Sequence, residues 1–126
     1  MKKVTPMIHV PDVRATVAWY EQIGFEVRST YGDGTATGLS FAIIKFGASE
    51  VMFNADGETS DKHRREVDLY VETEGVDELY ENLKDRVDVF ETPHDTFYGM
   101  REFTIRDLNR FWITFGQPIA DANGNN

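Results

Sequence analysis

The second half of the chain repeats the first, and this internal repeat restricts the possible folds more than any other feature. Three groups of residues recur in the same order, at an offset of about 60 to 62 positions. The matches are YEQI 20–23 with YENL 80–83, VMF 51–53 with ITF 113–115, and Phe41 and Ile43 with Phe103 and Ile105. Unrelated short matches would not share one order and one offset. The sequence therefore predicts two copies of one structural unit.

Hydrophobic periodicity gives each copy the order strand, helix and three strands. In the first copy the predicted strands are 4–10, 25–31, 39–46 and 49–55, with a helix over 13–23. In the second copy they are 66–72, 87–91, 100–107 and 110–115, with a helix over 76–85. Asp12 and Gly24 are the residue types that begin and end a helix. The chain is thus predicted to be α+β, with two tandem βαβββ modules.

These elements place residues 1–119 in a single domain made of two modules. Module one spans about 4–55 and module two about 66–119, and the polar segment 56–65 links them. The polar tail 120–126 is expected to be flexible.

Composition excludes several classes of function. The formal net charge of −9 argues against sequence-independent binding of nucleic acid, which needs a basic surface. The chain has no cysteine, so disulfides, thiolate zinc sites and a cysteine nucleophile are excluded. No apolar run is long enough to span a membrane, and MKKVTPMIHVPD lacks the apolar core of a signal peptide. We therefore expect a cytoplasmic protein that binds neither nucleic acid nor membrane.

Alternation along the strands divides each predicted sheet into two faces. The apolar face, which the helices must cover, is predicted to hold Val4, Ile8, Val10, Phe41, Ile43, Val51, Phe53, Val67, Leu69, Val71, Phe103, Ile105, Ile113 and Phe115. The opposite face is predicted to hold Thr5, Met7, His9, Ser40, Ala42, Ile44, Glu50, Met52, Asn54, Glu66, Asp68, Tyr70, Glu102, Thr104, Arg106, Trp112 and Thr114. Such a mixture of polar and large apolar groups suits a wet ligand cavity. The alternative is a plain solvent-facing sheet surface.

Two segments carry a resemblance to a known family. VTPMIHVPDVRATVAWYEQIGFEV resembles the opening of the vicinal oxygen chelate superfamily, and YGMREFTIRDLNRFWITF resembles its closing strand pair. That superfamily includes glyoxalase I, extradiol dioxygenases, fosfomycin-resistance enzymes and bleomycin-resistance proteins. The resemblance covers roughly residues 4–119. It implies a U-shaped mixed sheet around a cavity, with the helices on the outer face, commonly in a homodimer.

The resemblance also implies where a metal would bind. Metal enzymes of this superfamily place ligands on the first and last strand of each module, positions that correspond to Thr5, Met52, Glu66 and Thr114. Of these, only Glu66 is a competent ligand for a divalent cation, because threonine hydroxyls bind weakly and a thioether prefers soft metals. A catalytic metal needs about three protein ligands. We therefore expect a cavity without a metal or other cofactor.

The predicted cavity is acidic and carries aromatic rings. Glu50, Glu66, Asp68 and Glu102 face it against Arg106, which favours a cationic partner, and Tyr70 and Trp112 offer ring faces for stacking or cation–π contact. The predicted ligand-binding residues are Thr5, Met7, His9, Met52, Glu66, Asp68, Tyr70, Glu102, Trp112 and Thr114. The favoured function is a binding protein of the bleomycin-resistance type, which sequesters a small cationic or aromatic ligand without chemistry.

Several alternatives stay open at this point. One is a lyase, isomerase or dioxygenase with a divalent metal on carboxylates such as Glu66, Asp68, Glu50 or Glu102. A variant of it is a metal-free enzyme with Glu66 as general base. Another is a partner-binding module. Trp112 could instead pack at a module or dimer interface. The histidines His9, His63 and His94 are most simply scattered residues, with His9 as a cavity donor the alternative.

Overall fold

A computed structural model describes residues 1–32, 34–35, 38–58 and 65–120. The chain divides into two compact units, Met1–Ser60 and Asp61–Asn126, which correspond to the two predicted modules. His63, most of the predicted linker and residues 121–126 of the predicted tail lie outside the described residues. Within the described part of the chain, no helix is long and apolar enough to cross a membrane.

Module one is a four-stranded sheet with one helix. Its elements are β1 (Met7–His9), α1 (Val13–Gln22), β2 (Glu26–Gly32), β3 (Leu39–Phe46) and β4 (Ser49–Asn54). The strand order is β1-β4-β3-β2, with β1 parallel to β4 and the other pairs antiparallel. The side chain of Asp12 accepts a hydrogen bond from the Ala15 N–H, so the predicted N-cap of α1 is confirmed.

Module two repeats this topology. Its elements are β5 (Leu69–Glu72), α2 (Val76–Leu83), β6 (Asp88–Asp95), β7 (Met100–Arg106) and β8 (Trp112–Pro118). The strand order is β5-β8-β7-β6, and again only the first pair is parallel. The α+β class and the two tandem βαβββ modules are therefore confirmed.

Each helix covers one face of its own sheet. In module one the fully buried ring of Tyr20 on α1 packs against Phe53 of β4. In module two Tyr80 on α2 packs edge-on against Phe103, which stacks on Phe115. The predicted inward positions on β4, β7 and β8 are confirmed, since Val51, Phe53, Phe103, Ile105, Ile113 and Phe115 are all buried.

The predicted face assignment of β3 is wrong by one residue. Ala42 and Ile44 are fully buried and pair with Phe53 and Val51 on the helix side. The side of β3 away from the helix therefore carries its odd-numbered residues, including Phe41 and Ile43. The helix side carries Ser40, Ala42 and Ile44, which were predicted on the other side. The cause is the turn: two residues separate the paired Phe46 and Ser49, whereas five separate the paired Arg106 and Trp112. Because the two turns differ by an odd number of residues, β3 does not share the offset that holds for β4.

The first strand of each module begins later than predicted. β1 begins at Met7 and β5 at Leu69, so Thr5, Glu66 and Asp68 precede the strands. Val4 is 95% exposed and Val67 is 58% exposed, which contradicts their predicted inward positions. Pro6 has no N–H to donate to a strand ladder, and its carbonyl accepts a hydrogen bond from the Met52 N–H just before β1 starts. Before β5, Glu66 and Asp68 flank Val67 with charges that are costly to desolvate.

Candidate functional site

The sheet of module two has one face that α2 does not cover, which we call the helix-free face. Rows of cross-strand neighbours show which residues lie on this face. Tyr70 pairs with Thr114, which pairs with Thr104 on its other side, and Glu72 pairs with Gly116, which pairs with Glu102. The next row pairs Trp112 with Arg106. The structure therefore brings four predicted site residues onto one face, namely Tyr70, Glu102, Trp112 and Thr114.

Glu102 is the most unusual group on this face. The residue is only 5% exposed, although it carries a carboxylate. The Tyr70 hydroxyl donates to its Oε2 at 2.7 Å and the Tyr98 hydroxyl donates to its Oε1 at 2.7 Å. No lysine or arginine among the described residues forms an ion pair with it. Two neutral donors thus hold a buried carboxylate.

The two tyrosines are fixed as hydrogen-bond donors. Although half of the Tyr70 side chain is exposed, its hydroxyl is partly withdrawn from water, and this burial together with the hydrogen bond to Glu102 raises its pKa far above the usual value. The hydrogen bond to Glu102, followed by burial, likewise raises the pKa of Tyr98. Neither phenol is therefore an activated base at neutral pH.

Gly116 makes the position of Tyr70 possible. A Cβ atom on Gly116 would lie 2.0 Å from the Tyr70 hydroxyl oxygen and 2.7 Å from its Cζ, far inside van der Waals contact. The tyrosine ring therefore lies across the glycine, and its hydroxyl reaches Glu102 on the far side of β8. The pattern-based prediction missed Gly116, because a glycine in a strand signals a close approach without naming the partner.

Replacing Gly116 with alanine is expected to push the Tyr70 hydroxyl off Glu102. The pKa of Tyr70 should then fall toward the ordinary value of about 10, while that of Tyr98 stays raised. Alkaline titration of tyrosinate absorbance measures this, and Tyr70→Phe, which removes the phenol itself, is the reference. A Gly116→Ala titration identical to that of the wild type would show that Tyr70 does not depend on this glycine.

An aromatic pair lies further along the same face. The rings of Trp112 and Phe90 are 4.1 Å apart between centroids and tilted by 35°. The Arg106 guanidinium lies 5.4 Å from the Phe90 centroid, and its Nη2 donates to Asp88 Oδ1 at 3.1 Å. Phe90 and Tyr98 were not predicted site residues. Phe90 lies on this face by alternation, because it is two residues from Asp88, which pairs with Arg106; the register of β6 shifts between Val89 and Glu91.

Hydroxyl groups separate the acidic and aromatic parts of the face. Thr104 and Thr114 lie opposite each other on β7 and β8, and their Oγ1 atoms are 2.9 Å apart. Thr104 is buried, so this mutual hydrogen bond satisfies a group that would otherwise lose its water. Thr114 is thus placed as a partner of Thr104.

The predicted site residues of module one share a different sheet. Met7 pairs with Met52 and His9 with Asn54, on the face opposite α1, where Phe41 and Ile43 also lie. The Nδ1 atom of His9 is 3.1 Å from the Ala55 carbonyl oxygen, which identifies His9 as a group that joins β1 to the end of β4. Glu50, expected to add negative charge, instead forms ion pairs with Lys3 and Arg28, and the hydrogen bond from Lys3 is the main reason its pKa is lowered.

Module one also has a polar groove of about 390 Å³ beside the first turn of α1. Its lining residues are Pro11, Asp12, Val13, Arg14, Gly38, Leu39 and Ala55. None of these is a predicted site residue, so we place the candidate site on the helix-free face of module two.

The residues at the implied metal positions do not fit a divalent metal. In the observed register Tyr70 is the β5 residue opposite Thr114, and Met7 is the β1 residue opposite Met52. The hydroxyls of Tyr70 and Thr114 are engaged with Glu102 and Thr104, and the two thioethers are soft ligands. Glu66, the competent ligand of the predicted set, precedes β5. No group of three His, Cys, Asp or Glu residues within 1–32, 34–35, 38–58 and 65–120 could hold a metal ion.

Comparison with known proteins agrees with this fold. The sequence profile of the Glyoxalase/Bleomycin resistance protein/Dioxygenase superfamily matches residues 4–115. A search among curated proteins gives no significant sequence match. Among solved structures, TioX from Micromonospora sp. ML1 is 19% identical with a TM-score of 0.72, over 95% of this chain and 98% of that chain.

Two further structures are similar at comparable distance. A bleomycin-binding protein solved in complex with bleomycin is 17% identical with a TM-score of 0.70, over 93% of this chain and 98% of that chain. The bleomycin resistance determinant encoded on the transposon Tn5 is 16% identical with a TM-score of 0.71, over 94% and 98%. At these identities the structures establish the fold, and the matched profile establishes the family. The chain belongs to the glyoxalase, bleomycin resistance protein and dioxygenase superfamily.

Proposed function

We propose that this protein is a metal-independent binding protein that sequesters a small ligand carrying positive charge and an aromatic group, such as a bleomycin-type antibiotic. One observation carries the proposal: a buried carboxylate with no basic partner among the described residues shares a face with the Trp112–Phe90 ring pair. A desolvated anion favours a cation, and ring faces favour a flat aromatic group. The helix-free face therefore offers complementary partners for both parts of such a ligand.

The chemistry of the same groups supports binding over catalysis. The hydroxyls of Thr104 and Thr114 hydrogen-bond each other, so neither is paired with a base that would activate it as a nucleophile. Tyr70 and Tyr98 hold their protons more tightly than free tyrosine does. Glu66, the alternative general base, is exposed and precedes the sheet. These groups can hold a ligand by hydrogen bonds and charge.

Two of the structural relatives are named for the same ligand class. One of them is a bleomycin-binding protein in complex with bleomycin, and another is a bleomycin resistance determinant. At this low identity they establish the fold alone, so the ligand class proposed for this chain rests on its own side chains. The homodimer implied by the family stays a prediction, which sedimentation equilibrium would test.

Calorimetric titration with metal-free bleomycin tests the proposal, in buffer with and without a chelator. We expect saturable binding whose affinity is the same in both buffers, because no metal takes part. Elemental analysis of the purified protein should find almost no divalent metal, and the chelator should leave the melting temperature unchanged. One bound metal per chain, together with a fall in melting temperature on chelation, would contradict the metal-independent site.

A further inference from the structure

We propose that Glu102 is the recognition site for a primary ammonium group of the ligand, held ready by Tyr70, Tyr98 and Gly116. The inference rests on the proposed function and adds the chemical identity of the cation and its place on the helix-free face. Glu102 is only 5% exposed, and its carboxylate accepts hydrogen bonds from two phenol hydroxyls. Burial without a counter-charge is costly, and an incoming cation would relieve that cost.

The carboxylate has acceptor capacity left for a ligand. Two carboxylate oxygens offer about four lone-pair positions, and the two tyrosine hydroxyls use one position on each oxygen. A guanidinium binds best as a fork that engages both oxygens together, which the two phenols obstruct. A compact ammonium needs one oxygen and can turn its remaining N–H groups toward neighbouring hydroxyls or water. The arrangement therefore favours an ammonium over a guanidinium.

The surroundings of Glu102 are fixed before any ligand arrives. Gly116 leaves the space that the Tyr70 hydroxyl occupies, and the Tyr98 hydroxyl holds the other carboxylate oxygen. Both tyrosine side chains are about half exposed, so their rings are accessible beside the acid. A cation at Glu102 therefore gains a charge-assisted hydrogen bond next to accessible aromatic surface, with little reorganisation of the protein.

The register also sets the spacing between the two ligand parts. Trp112 and Gly116 are on the same strand, and Gly116 pairs with Glu102 on β7. At a rise of about 3.3 Å per residue, the aromatic pair and the acid are separated by roughly 13 Å along β8. The Thr104–Thr114 hydroxyl pair lies between them. The expected ligand is elongated, with a flat aromatic group at one end and a primary amine at the other.

Two matched probes test this: a dansyl group joined through an octyl chain to a primary amine, and the same compound ending in an alcohol. Wild-type protein should bind the amine about 10 to 100 times more tightly than the alcohol. In Glu102→Gln this preference should disappear, while affinity for the alcohol stays the same. Glu72→Gln is the control, because Glu72 pairs with the same Gly116 from β5 but is exposed. It should keep the preference within about threefold.

The outcomes separate this inference from the proposed function. Equal binding of both probes to the wild type, or a preference that survives in Glu102→Gln, would overturn the ammonium site even if Trp112→Ala still weakens binding of both. Binding of neither probe would overturn the ammonium site and the proposed function together. If Glu102→Gln does not fold, the ratio of amine affinity to alcohol affinity is still measured on the wild type and on Glu72→Gln. A ratio near one in these two proteins would overturn the ammonium site.

Discussion

Replacing Trp112 with alanine is expected to weaken binding of bleomycin and of both dansyl probes about 10- to 30-fold, with the fold intact. The Trp112 ring contacts the Phe90 ring on the helix-free face, and Trp112 is half-buried whereas the core residues are fully buried. The substitution removes a ring face that the ligand would contact, and it leaves the packing on the helix side of the sheet in place. Calorimetry measures the affinity, and circular dichroism measures the fold and melting temperature.

The chain supplies a matched control for this substitution. Trp19, the other tryptophan, is on α1 in module one and contacts Tyr20. Trp19→Phe should leave probe affinity unchanged, and its remaining tryptophan fluorescence should still respond to ligand. If Trp112→Ala fails to fold, Trp112 is a core residue. If it folds and binds with unchanged affinity, the ligand does not contact this part of the face.

Sequence patterns were sufficient for the faces of β4, β7 and β8 and insufficient for those of β3. In β8 the alternation of Trp112, Ile113, Thr114 and Phe115 predicts that Ile113 and Phe115 face the helix. The structure confirms this assignment. In β3 the run LSFAIIKF is apolar on both sides, so its inward residues depend on pairing with β4. The internal repeat could not correct this, since the turns before β4 and β8 differ by an odd number of residues.

The site was predictable as a face and not as a set of contacts. The alternation rule placed Tyr70, Glu102 and Thr114 together, because side chains at even spacing share one side of a sheet. It could not show that Tyr98, from the turn before β7, would reach the second oxygen of Glu102. Such contacts join residues through loop geometry, which periodicity does not encode.

Ile113→Asp should abolish stable folding, whereas Thr114→Val on the next residue should not. Ile113 is fully buried on the helix side and pairs with Leu69 and Ile105 on the two neighbouring strands. An unpaired carboxylate there costs several kcal/mol, comparable with the 5–15 kcal/mol that stabilises a typical domain. Thr114→Val removes the hydrogen-bond partner of the buried Thr104, which costs about 1–3 kcal/mol. Urea denaturation followed by circular dichroism separates these effects, and a stable Ile113→Asp protein would mean that β8 is shifted by one residue, with Thr114 and Trp112 on the helix side.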